Sequence, residues 1–120
     1  GLDKRVDREE AKLEKMAERN AAREQRQRAK LEATERNERA KLDRERAKLA
    51  AIDPFDTRRS ERQRAKVAKL EERSASKVAK QRERLERMRE QHAAQLDIQE
   101  RRLDQTRAQR NAFSGGRDSG

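Results

Sequence analysis

A chain of 120 residues with 48% charged residues, 2% aromatic residues and a net charge of +10 has the length of a domain without the side chains to fill one. Leu, Ile, Val and Phe occupy only 16 positions and cysteine is absent, which excludes a disulfide framework and thiolate metal sites. Ala, Glu, Lys, Leu and Arg make up 77 of the 120 residues, the composition of a long helix, and the basic excess points to an anionic partner.

The first expected element is a helix over 1–52. It introduces a repeat of 18 residues that runs across about 11–110 without gaps. In blocks cut from Ala11, the third position reads Leu13, Leu31, Leu49, Val67, Leu85, Leu103, and the sixth reads Met16, Thr34, Ile52, Leu70, Met88, Thr106. A further column is Val6, Glu24, Leu42, Ser60, Val78, Leu96. Eighteen residues are five turns of an α-helix, so each column forms a straight line and each repeat advances about 27 Å. The apolar positions alternate steps of 11 and 7, whose opposite supercoil tendencies nearly cancel. The expected docking stripe is Leu13, Leu31, Leu42, Leu49, Val67, Leu70, Val78, Leu85, Leu96 and Leu103. It is thin, and Asn20, Glu24, Glu38 and Ser74 interrupt it.

Charge follows the same lattice. Arg26, Lys30, Arg44, Lys48, Arg62, Lys66, Lys80 and Arg84 form a basic stripe centred roughly 100° from the apolar one. Asp43, Glu61, Glu72, Glu83, Glu86 and Glu90 lie on another flank. Some acids stand four residues before an arginine, as Glu24 does before Arg28 and Glu35 before Arg39, which supports an isolated helix. The runs Lys69–Arg73–Lys77 and Arg58–Arg62–Lys66 stack like charges and oppose it. This segregation favours a basic stripe that meets an anionic surface.

The one break is Ala51-Ile52-Asp53-Pro54-Phe55-Asp56. Asp53 and Pro54 are expected to cap a second helix over 53–113, with Asp53 as N-cap and Pro54 as the first helical residue. Because the repeat phase crosses the break intact, the chain is expected to continue in one direction more readily than to fold back as a hairpin. Residues 114–120, rich in Gly and Ser, are expected to be a flexible tail. The fold class is therefore all-α: long, nearly straight charged helices, coiled-coil-like or a single-helix rod, with one break at Asp53-Pro54 and no globular core.

Chemistry is hard to find in these residues. His92 is the only histidine and has no second metal ligand on its face, so it is expected as a semi-exposed stripe residue. Glycine occurs only at positions 1, 115, 116 and 120, which leaves no phosphate-cradling loop. No catalytic residue, cofactor, metal or small-molecule substrate is expected. The expected function is structural: an apolar-plus-basic face laid along an extended acidic assembly such as a cytoskeletal polymer or a virion tube or shell, or self-association into a helical oligomer. The alternatives are a nucleic-acid-binding helix, which lacks aromatics to stack on bases, and a membrane-surface helix, whose apolar face is thin. With no apolar run of signal-peptide or membrane-spanning length, an intracellular or virion-interior location is expected. The 11-and-7 spacing over 11–110 is similar to that of phage tail tape-measure proteins, which implies a long helix lying in a tube. Those repeats carry a recurring aromatic that this chain does not have.

Overall fold

The computed structural model describes residues 1–118, with side chains through 113. It contains two α-helices, α1 (Leu2–Ala50) and α2 (Thr57–Asp118), and no strand among the described residues. An all-α fold without a globular core is what the composition requires. Contacts gather into two units. One joins Gly1–Gln25 to the segment that begins at Arg87, and the other is Arg26–Glu86.

In each unit α1 and α2 run antiparallel. In the first unit Glu10 bonds to Arg107, and Glu24 lies against His92. In the second, Gln27 meets Gln81, Glu38 meets Ser74 and Glu45 meets Gln63. Partners on α2 fall in number as those on α1 rise. The chain therefore turns back at the break, and the expectation that it continues in one direction is corrected. An unbroken phase carries no information about direction, because tandem duplication preserves the count either way. What decides is burial: a lone helix leaves its apolar column in water, and folding back lets each column cover the other.

The same five positions of the repeat face inward on both helices. On α2 the buried and half-buried residues, Arg107 apart, recur in steps of three and four: Ser60, Gln63, Val67, Leu70, Ser74, then Val78, Gln81, Leu85, Met88, His92, then Leu96, Gln99, Leu103, Thr106, Arg110. Eighteen residues separate equivalent members of successive sets. On α1 the corresponding set is Glu9, Leu13, Met16, Asn20, Glu24, followed by its equivalents from Gln27 onward. The seam is as polar as it is apolar. Val6, Val67, Leu85 and Leu103 are its buried hydrophobic residues, whereas Asn20, Gln27, Glu38, Ser74, His92, Gln99 and Thr106 are its buried polar ones. Side chains that were read as interruptions of the stripe are part of the seam.

The turn differs in detail from the expected cap. The backbone N–H of Asp56 donates to the Asp53 carbonyl at 2.9 Å, closing a β-turn with Pro54 at its second position, where a fixed φ suits it. Oδ1 of Asp53 accepts from the Phe55 N–H at 3.0 Å, so Asp53 holds the turn rather than the helix. Asp56 is the N-cap: its Oδ1 accepts from the Arg59 N–H at 3.2 Å and its carbonyl accepts from Ser60 at 3.0 Å. α2 begins at Thr57 instead of 53 because the reversal consumes Asp53-Pro54 before a helix can start. At the other end, α2 extends through Asp118, five residues into the expected tail, while residues 119–120 lie outside the described residues.

Candidate functional site

Antiparallel packing of two helices that turn the same columns inward relates them by an approximate two-fold axis perpendicular to both. Rotation about that axis carries the basic flank of α1 onto the basic flank of α2 on one side of the hairpin. All eight basic-stripe residues, Arg26, Lys30, Arg44, Lys48, Arg62, Lys66, Lys80 and Arg84, belong to the second unit and are exposed. Within that unit a step of four forward on α1 from Arg44 to Lys48 corresponds to a step of four back on α2 from Lys66 to Arg62. Two separate stripes become one two-helix face.

Two adjoining depressions mark this face. One, of about 260 Å³, is lined by Lys41, Arg44 and Glu45 of α1 and by Lys66, Lys69, Leu70 and Arg73 of α2. The other is lined by Lys48, Ala51, Ile52, Arg59, Arg62 and Gln63. Eight cations line the two depressions, and Glu45 is the one carboxylate among the lining residues; its Oε1 lies 3.1 Å from Lys48 and 3.5 Å from Lys66. Gln63 donates to the same carboxylate at 2.7 Å and to the Glu45 carbonyl at 2.9 Å. The Gln63 hydrogen bond first, then Lys48, hold the Glu45 carboxyl down at about 2, against the opposing effect of burial. Arg44, Arg59, Arg62, Lys69 and Arg73 have no acidic partner among the described residues.

The opposite side of the unit is built differently. There Glu35 bonds to Arg82 at 3.3 Å and Arg46 to Glu71 at 3.2 Å. The second pair is 11 residues further on α1 and 11 residues back on α2, with the signs exchanged. Between them lies a groove floored by Leu42, Ala75, Val78 and Ala79. This side neutralises its own charge, whereas the basic face does not.

Inside the seam, Glu38 is 5% exposed and is held by Lys77 at 2.9 Å, Lys41 at 3.6 Å and the Ser74 hydroxyl, which donates at 3.3 Å. The Lys77 contact is the largest influence and keeps the Glu38 carboxyl below its usual range despite burial. In the first unit Nδ1 of His92 lies 3.1 Å from Oε2 of Glu24, with Arg89 3.7 Å from the other oxygen. His92 is 7% exposed, so it is a seam residue with a carboxylate partner rather than a semi-exposed one. Glu24 and Glu35 both turn to the other helix rather than to an arginine four residues on.

The apolar docking stripe lies elsewhere than expected. Leu13, Leu31, Leu42, Leu49, Leu70, Val78 and Leu96 are half-buried and Val67, Leu85 and Leu103 are buried, all at the seam. They pack against the opposite helix, and Leu70, Leu42 and Val78 also line surface depressions. One column escaped the sequence reading: Glu9, Gln27, Glu45, Gln63, Gln81, Gln99. Its signal was available, since Glu or Gln recurs there at every 18th residue, but a polar column between arginines looks like solvated surface until a second helix covers it.

Among the described residues no group of three His, Cys, Asp or Glu side chains converges to hold a metal ion, and no helix is long and apolar enough to cross a membrane. Comparison of the chain with protein-family models, with curated proteins and with solved structures gave no match.

Proposed function

We propose that this chain is a structural docking protein, a charged helical hairpin that lays the basic face of its second unit along an extended acidic protein assembly. The observation that carries this reading is the sorting of paired from unpaired cations. Arg46 and Arg82 are neutralised on one side, while Arg44, Arg59, Arg62, Lys69 and Arg73 line the other without an ion pair of their own among the described residues. Like charges held this close raise the energy of the free protein, and an acidic surface relieves that cost. Repeats that advance about 27 Å suit an assembly whose acidic groups also recur along a line, such as a cytoskeletal polymer or a virion tube or shell. The seam uses most of the apolar stripe, of which Leu70 also lines the basic depression.

A second reading follows from the same face. A face rich in unpaired cations is also what contact with a phosphate backbone requires. One titration separates the two. The chain and a variant with Arg44, Lys48, Arg62 and Lys66 all changed to Glu are titrated with poly-L-glutamate and with duplex DNA over a salt series. Docking on acidic protein expects binding to poly-L-glutamate that the variant loses, with DNA binding no tighter at equal charge. Markedly tighter DNA binding with a steep salt slope moves the assignment to nucleic acid. Equal binding by both chains removes the basic face from either.

A further inference from the structure

We propose that the seam also accepts a second copy of this chain, so that α2 of one copy packs on α1 of another in an exchanged antiparallel dimer. The inference goes beyond docking and does not depend on it. Its basis is that the seam joins like to like. Gln27 donates to the side-chain oxygen of Gln81 at 2.7 Å and to its carbonyl at 3.4 Å. Gln63 makes the same pair of bonds to Glu45, at 2.7 and 2.9 Å. Both contacts unite the same position of two different repeats, displaced by 18 residues forward on α1 and 18 back on α2. A surface that pairs with itself inside one chain presents that complement to every other copy.

The turn does little to prevent the exchange. Its bonds are local: Ile52 to Leu49, Asp56 to Asp53, and Phe55 to the Asp53 carboxylate. Phe55 is 94% exposed and contributes nothing to the seam. The cross-helix contacts of this unit link residues 18 to 54 positions apart, so a second copy supplies the same groups without the turn. The seam is polar enough to open without exposing a large apolar core, since its buried hydrophobic residues in this unit are Val67 and Leu85. Closure within one chain is favoured by an effective concentration on the order of millimolar for a short connection. The hairpin therefore dominates in dilute solution, and the exchanged form grows as the protein concentration approaches that value or after joint refolding.

The chain has no cysteine, so single thiols report the pairing directly. A Gln27→Cys chain and a mass-labelled Gln81→Cys chain are unfolded together, refolded at millimolar concentration and treated with a short bismaleimide. The double variant, refolded at micromolar concentration, monitors closure within one chain, and Glu45→Cys with Gln63→Cys provides an independent pair. The expected result is a link between light and heavy chains at both pairs and a twofold rise in mass by sedimentation, both absent when the chains are refolded and treated at micromolar concentration. A species that stays monomeric at every concentration overturns the proposal. So does a dimer without links between copies, which means intact hairpins side by side, and so does failure of the double variant to close.

Discussion

Gln63 binds Glu45 twice, its side-chain amide donating to the carboxylate at 2.7 Å and to the backbone carbonyl at 2.9 Å. One residue thereby ties the two helices beside the turn and orients the carboxylate that lines the basic depression. Gln63→Ala removes a hydrogen bond to a charged group and is expected to destabilise the chain by about 1–3 kcal/mol. Urea unfolding followed by circular dichroism measures the loss. Gln63→Glu sets two carboxylates together and is expected to cost more at pH 7 than at pH 3, where protonation relieves the repulsion.

Acid sensitivity follows from Glu45 and Glu38. Both carboxyls sit below their usual range in the folded chain, Glu45 at about 2. The unfolded chain thus takes up protons first as pH falls, so stability from these groups is complete above the ordinary carboxylate value near 4.5. It is lost progressively between there and about 2. Thermal melts across pH 2–7 are expected to fall in that window, and Glu45→Gln combined with Glu38→Gln is expected to flatten the fall. An unchanged slope in the double variant contradicts the assignment.

The turn separates the roles of two aspartates. Asp56 caps α2 through the Arg59 N–H, so Asp56→Ala is expected to cost about 1 kcal/mol. The Asp53 side chain accepts from Phe55 within the exposed turn, so Asp53→Ala is expected to cost less. A larger effect at Asp53 means that α2 starts there after all.

Asn20 is 6% exposed and its amide nitrogen has no hydrogen-bond partner among the described residues. Burial of an unsatisfied donor costs roughly 1–3 kcal/mol, so Asn20→Leu is expected to raise stability by about 1 kcal/mol. By contrast Leu85→Ala, which empties a buried apolar position in the same repeat system, is expected to cost about 2 kcal/mol, the low end for core leucine truncation because the thin seam relaxes easily. Denaturant midpoints of both variants decide the matter.

The ion pairs on the neutral side are exposed and are expected to add little. Arg82→Glu should cost about 0.2–1 kcal/mol, and adding Glu35→Arg should recover most of it by restoring the pair in reverse. A double-mutant cycle with no coupling contradicts the pairing.

Much of this protein was legible in its residues. The period of 18, the leucine columns from Leu13 to Leu103 and the basic columns through Arg44 and Lys66 are properties of a helix wound at 3.6 residues per turn, and they need no tertiary contact to exist. The break at 51–56 was legible too, because proline and its flanking aspartates act locally. What lay beyond local reading was the direction of the chain after Asp53-Pro54 and the cap at Asp56, since a reversal is selected by the burial it permits over residues far apart in sequence.

That direction decided everything at the candidate site. From one helix alone, Glu45, Gln27 and Gln63 look like solvent-facing residues and Leu42 and Leu49 look like a surface for a partner. Once α2 folds back, the leucines cover one another, the Glu/Gln column becomes the hydrogen-bonded seam, and two basic flanks meet on one face. Periodicity along a helix is set by backbone geometry and is written residue by residue. Which faces come together is a property of the two-fold arrangement of both helices, and only the tertiary structure holds it.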